Sequence, residues 1–177
     1  VRGTASLDKY SEYQEERIAI GSIDVSEYQR LDRNFEERNF TLLLTTKSFD
    51  LTSDLKFSAL AGGNIWQNEV YYIRDKTNGG LSIPRLYSLS NSVNPRNAAT
   101  ESLQEFQVNG LFGGANFNYD NWLFLDLTMR RDQASSLPKD NNTYYYPSAS
   151  LGLNFTKFIG ANDVFTFGKL RVNYAEV

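Results

Sequence analysis

Ten polar residues stand at alternate positions in the last third of the chain: Asp126, Thr128, Arg130 and Asp132, then Ser148, Ser150 and Asn154, then Lys169, Arg171 and Asn173. Side chains alternate across an extended chain, so residues two apart share a face. Hydroxyls, amides and charges of both signs on one face can hold a polar solute and steer it. That chemistry is binding rather than bond-making. Histidine and cysteine are both absent, which excludes a Ser-His-Asp triad, a Cys-His dyad and any thiolate or imidazole metal site within the chain. Paired carboxylates could serve glycoside hydrolysis, but no pattern selects two of the 21 acids. Asp132, Asp140, Asn141 and Asn142 offer oxygen ligands for Ca²⁺ without the EF-hand spacing, and a solvated loop is the simpler reading. For Arg130 and Asp132 an ion pair at a strand end is favoured over solute contact. No cofactor is expected.

The elements that must place these residues are three strands within 122–174. In Trp122–Arg130, the residues Leu123, Leu125, Leu127 and Met129 oppose Phe124, Asp126, Thr128 and Arg130. In Tyr144–Phe155, the residues Ala149, Leu151, Leu153 and Phe155 oppose Ser148, Ser150, Gly152 and Asn154. The span Val164–Tyr174 sets Leu170, Val172 and Tyr174 against Lys169, Arg171 and Asn173. Period-two patterning of this length signals a strand with two different surroundings. A smooth apolar face backed by a small, charged and amide-rich one is how a transmembrane β-barrel meets lipid outside and water inside. Mean hydropathy of -0.46 does not oppose this, because barrels span membranes at ordinary average polarity. No apolar run reaches the ~18 residues of a membrane helix. The net charge of -3 with scattered Lys and Arg gives no basic stripe, so no nucleic-acid partner is expected. Aromatic residues near turns, Tyr119, Trp122 and Phe158, are candidates for an interfacial girdle.

Upstream, Asn39–Phe49 and Leu55–Ile65 read as antiparallel neighbours joined at 50–54. Gly62-Gly63 marks a bend or bulge, after which the strand can resume to Arg74. Phe106–Tyr119 is a strand whose Gly110, Gly113 and Gly114 suit curvature or close backbone approach. Residues 1–38 show no clean period and read as an exposed loop with short strands at each side; a weak helical reading covers Glu27–Glu37. Residues 75–104, rich in Asn, Gly and Pro, read as a long loop. Short turns at 50–54, 119–121 and 157–163 against long connections at 75–104 and 131–143 match short periplasmic turns and long extracellular loops. The N-x-Ser/Thr triplets at Asn39, Asn141 and Asn154 read as chance occurrences.

Several segments also carry a family resemblance. Leu127-Thr-Met-Arg-Arg-Asp132, Ser135-Ser-Leu-Pro138, Asn141-Asn-Thr-Tyr-Tyr-Tyr-Pro-Ser-Ala-Ser-Leu151 and Phe167-Gly-Lys-Leu-Arg-Val-Asn-Tyr-Ala175 resemble, in this order, the barrel of SusC/RagA-type TonB-dependent transporters of Bacteroidetes. Ile83-Pro-Arg-Leu-Tyr-Ser-Leu-Ser-Asn91 is similar to the long extracellular loop preceding them. Gln133 and Ala134 depart from the pattern. The resemblance implies an all-β, antiparallel up-and-down transmembrane barrel, of which residues 1–177 supply about six of some 22 strands and no plug domain. It implies an outer-membrane importer of oligosaccharides or peptides that works with a SusD-like surface lipoprotein. TonB contact is expected through parts of a larger polypeptide.

The expected function is therefore a barrel-wall segment acting by binding and energised passage, with no enzymatic step. Asp126, Thr128, Arg130, Asp132, Ser148, Ser150, Asn154, Lys169, Arg171 and Asn173 would face the lumen. The rival is a soluble β-sandwich carbohydrate-binding module, in which apolar faces meet across a core.

Overall fold

The computed structural model describes residues 1–160 and 166–176. Its strands are β1 (Arg2–Ile18), β2 (Glu27–Thr45), β3 (Phe49–Asp50), β4 (Leu55–Lys76), β5 (Asn78–Leu81), β6 (Ser92–Asn94), β7 (Thr100–Tyr119), β8 (Leu123–Ala134), β9 (Thr143–Asn154) and β10 (Lys169–Ala175), with one helical turn, α1, at Thr156–Ile159. The main sheet has the order β1-β2-β4-β7-β8-β9-β10, with β3 paired to β4, and β5 and β6 form a separate small sheet. The strands from β7 to β10 pair antiparallel in turn, as do β3 with β4 and β5 with β6. The expected barrel-type sheet is thus present, with seven strands along its path rather than about six. Val164 and its neighbours lie outside the described residues.

Contacts divide the chain into two units. One holds Val1–Ala5, Asn39–Trp66 and Gln107–Val177; the other holds Ser6–Arg38 and Gln67–Phe106. In the first unit the register sets like against like. Gly113, Ala115 and Phe117 of β7 stand opposite Met129, Leu127 and Leu125 of β8, and Leu125 and Leu127 stand opposite Leu151 and Ala149 of β9. Directly opposed side chains share a face, so β7, β8 and β9 build one apolar surface. That surface is not covered: Leu42 is 52% exposed, Leu111 59%, Met129 49% and Val172 62%. A sandwich would bury these residues against a second sheet, and among the described residues no second sheet covers them.

The second unit corrects the reading of residues 1–38. No helix forms there and the connection shrinks to 19–26; β1 and β2 are long strands of 17 and 19 residues. Period-two patterning fails because these strands carry polar groups on both faces and pair them across the ladder. Lys9 bonds Glu36 at 3.0 Å, Arg33 bonds Glu12 at 3.1 Å and Ser11 bonds Asn34 at 2.7 Å. The 75–104 segment is also more ordered than a plain loop. Asn91, buried, takes the Ile83 N–H at 3.0 Å and donates to the Ile83 and Leu86 carbonyls at 2.8 and 2.7 Å. β5 and β6 then pair across an irregular register. At 131–143 the connection is shorter than expected, because β8 runs on to Ala134 and β9 begins at Thr143.

Candidate functional site

The ten residues singled out in the sequence fall on one face of the first unit, in cross-strand rows. Asn154 is opposite Lys169; Arg171 is opposite Gly152, itself opposite Phe124. Asp126 is flanked by Asn116 and Ser150, and Ser150 by Asn173. Thr128 is opposite Ser148. Arg130 and Asp132 sit opposite Phe112 and Gly110, both inside β8 rather than at its rim.

Hydrogen bonds tie several of these rows together. Asn116 donates to the Asp126 carboxylate. Thr128 and Ser148 hydroxyls are 2.6 Å apart, and the Ser150 hydroxyl donates to Asn173 Oδ1 at 2.6 Å. The Lys169 ammonium lies 4.4 Å from the centroid of Phe124, a cation–π arrangement that keeps the charge beside an aromatic face. Arg171 is exposed and has no side-chain hydrogen bond or ion pair among the described residues. The buried Oδ1 of Asn154 lacks a hydrogen-bond partner.

The densest point is around Arg130. Its Nε lies 2.8 and 2.9 Å from the two oxygens of Asp132, the hydrogen bond going to Oδ2. Its Nη2 donates to Asn64 Oδ1 at 3.1 Å, and its guanidinium stands 5.9 Å from the Phe112 ring centroid. Gly110 makes room for this cluster. A Cβ there would lie 2.2 Å from Asn64 Oδ1 and 2.8 Å from both Arg130 Nη2 and Asp132 Oδ1. The expected Arg130–Asp132 ion pair is present, and the close approach expected of the β7 glycines is realised at Gly110.

Asn64, Phe112 and Asn116 belong to the same face and were missed in the sequence, whereas Phe124 was placed on it. Asn64 follows Gly62-Gly63, where a bend was expected; β4 instead runs unbroken through both glycines. Counting in twos from Lys56 would have placed Asn64 on the polar face. Together these groups form a polar surface held by hydrogen bonds and an ion pair. No group of acids able to hold a metal occurs among the described residues.

The second unit holds its own cluster. The Glu15 carboxylate accepts from the Tyr13 and Tyr28 hydroxyls, the latter at 2.5 Å, and pairs with Arg17. Arg17 stacks over Tyr87 at 5.2 Å and Arg30 over Tyr13 at 4.9 Å. The Tyr13 and Tyr28 hydroxyls, with Arg17 beside them, hold the Glu15 carboxyl down to about 2. The same bond to Glu15, then that to Tyr13, pushes the Tyr28 phenol above its ordinary value. This is a prepaid network of hydroxyls and charges, also legible only after folding.

At the turn ends of the first unit, Trp122 packs edge-on against Tyr119 at 5.6 Å and against Phe158 at 4.9 Å. The three expected girdle aromatics thus form one chain of rings. No helix among the described residues is long and apolar enough to cross a membrane.

No protein-family profile matches the chain. Two curated proteins of Formosa agariphila are similar in sequence. TonB-dependent receptor P26 is 33% identical over 91 residues, covering 50% of this chain and 9% of that protein. TonB-dependent receptor P3 is 27% identical over 157 residues, covering 81% of this chain and 15% of that protein. Among solved structures, the RagAB peptide transporter aligns over 98% of this chain and 20% of its own, with a TM-score of 0.85 at 17% identity. The RagAB peptide importer in its open-open state aligns with a TM-score of 0.79 at 19% identity. This chain therefore spans a fifth or less of the length of the proteins it matches. Sequence likeness to TonB-dependent receptors and fold likeness to part of the RagAB transporter agree with the motifs: the chain has the antiparallel sheet of a β-barrel segment.

Proposed function

We propose that this segment forms part of the wall of an outer-membrane, TonB-dependent importer, and that its polar face lines the path of an oligomeric solute, a glycan or a peptide. The observation that carries the reading is the two-faced sheet: an uncovered apolar surface on one side and tied polar rows on the other. From Leu123 to Arg131 the strand advances about 26 Å. At the tilt of about 40° usual in outer-membrane barrels, that gives roughly 20 Å of height, the class of an outer-membrane apolar band. The Tyr119–Trp122–Phe158 rings would mark one interface of that band.

In this reading Asp126, Thr128, Arg130, Asp132, Ser148, Ser150, Asn154, Lys169, Arg171 and Asn173 contribute lumen surface, and the mixed charge signs suit neutral or zwitterionic oligomers. The work is binding and passage without bond chemistry. RagAB, a two-component assembly in its name, supports a SusD-like surface lipoprotein as partner; energy would come through TonB. Fractionation of the intact protein carrying this segment tests the reading. Outer-membrane residence, detergent-dependent extraction and a heat-dependent gel shift are expected. Release into the soluble fraction without detergent would overturn it and favour a soluble binding module.

A further inference from the structure

The apolar face of the first unit carries a groove of about 860 Å³. Its walls are Phe40 and Leu42 on one side and Leu111 on the other, and Ile65 extends it. Gly63 forms the floor: a Cβ there would meet Gly110 O and Leu111 Cδ2, each at 3.2 Å. Small residues of β1, Gly3 and Ala5, leave it open. One lining residue is charged, and it is Arg131.

Arg131 is on the wrong side for the polar rows. It follows Leu123, Leu125, Leu127 and Met129 in the alternation of β8, and stands opposite Leu111 and Tyr145. Its guanidinium has no hydrogen bond or ion pair among the described residues, in contrast to Arg130. No carboxylate lines the groove among the described residues. An unneutralised cation on an apolar face is costly in hydrocarbon and favourable where a long side chain reaches an anionic headgroup at the interface. Tyr145, exposed on the same face beside it, is the amphipathic ring expected at that depth.

Resting on the membrane-barrel reading above, we propose that this groove is a binding site for a phosphate-bearing membrane lipid, its acyl chain lying over Gly63 between Leu42 and Leu111 and its phosphate on Arg131. The groove supplies an apolar slot, and Arg131 supplies the bidentate donor that phosphate geometry favours. Gln107 and Asn109 amides border the same groove.

Native mass spectrometry tests this on the intact protein, delipidated in detergent and supplied with phosphatidylglycerol or with diacylglycerol of the same chains. Retention of phosphatidylglycerol above diacylglycerol is expected. Arg131→Leu should lower phosphatidylglycerol retention by about fivefold, the effect of one basic group facing an anionic lipid surface, and Arg131→Lys should keep most of it. Ala5→Phe, which fills the slot, should lower retention of both lipids. Equal retention of the two lipids by the unchanged protein, or unchanged retention in Arg131→Leu, overturns the site. The heat-dependent gel shift read on the same samples separates the two failures. A shifting barrel without lipid preference loses only this proposal, whereas a protein soluble without detergent loses the membrane reading too.

Discussion

Replacing Gly110 by alanine places a methyl group 2.2 Å from Asn64 Oδ1 and 2.8 Å from Arg130 Nη2 and Asp132 Oδ1. All three are ends of side chains, so the backbone can stay while the side chains give way. Asn64 sits nearest, so it must rotate, and the 3.1 Å bond from Arg130 is lost. The Arg130–Asp132 pair survives through Nε. A hydrogen bond to a charged group contributes about 1.5–3 kcal/mol. The Arg130 side chain is 40% exposed, which screens the bond toward the lower figures of surface pairs, so the expected cost is about 1 kcal/mol. Asn64→Ala deletes the same bond and should cost a similar amount. The double variant should then cost about as much as either single one, a coupling of about 1 kcal/mol between the sites. Gly113→Ala is the internal control: its Cβ would meet only Leu60 O, at 3.5 Å, and it should change stability by less than about 0.5 kcal/mol. Urea unfolding of the intact protein in detergent, followed by the gel shift, measures all four. Costs that simply add for Gly110 and Asn64, or equal costs at Gly110 and Gly113, would refute the cluster as described.

In the second unit, Asn91→Ala leaves the Ile83 N–H without its partner and removes one of two hydrogen bonds from each of the Ile83 and Leu86 carbonyls. A local loosening of about 2 kcal/mol is expected, seen as new proteolytic cleavage within 83–90 while β1 and β2 stay protected. Glu15 titrates near 2 when folded, below its unfolded value, so its bonds stabilise the cluster above the ordinary carboxylate range and are lost as pH falls through about 2. In Tyr13→Phe and Tyr28→Phe the midpoint should move up toward the ordinary carboxylate value of about 4.3, read by ¹³C NMR of the Glu15 carboxyl; an unmoved midpoint would show that the tyrosines do not hold it. Outer-membrane fractionation and the Arg131 lipid assay complete the set, each with its contrary outcome stated above.

Legibility followed the surroundings of each strand. β8, β9 and β10 could be read in the sequence because one face is uniformly apolar, and the faces of Asp126 to Asp132 and Ser148 to Asn154 came out as the alternation predicts. β1 and the first half of β2 could not, since Lys9, Glu12, Arg33 and Glu36 answer one another across the ladder and leave no apolar period to detect. Asn64 was hidden by an adjacent Gly-Gly pair, which reads as a break in isolation and is an unbroken strand in the sheet. Arg131 was hidden by Arg130: two arginines in a row look like one polar strand end, while the pleat sends them to opposite faces. The tyrosines around Glu15 come from positions 13 and 28, and only the β1–β2 pairing makes them neighbours.

The ion pairs that tie the second unit together also shape how its sequence can drift. Lys9–Glu36, Arg33–Glu12, Lys76–Glu27 and Arg96–Asp75 each join different strands or segments. A like-charge pair directly across a ladder is destabilising, so a sign change at one member selects for the opposite change at its mate. Among descendants of this chain such positions should alter in couples, with swapped polarity tolerated and single reversals purged. The apolar face has no such bookkeeping: Leu, Ile, Val and Met can replace one another there independently. Two regimes of variation, paired in one unit and free in the other, would then be inherited from one pattern of strand contacts.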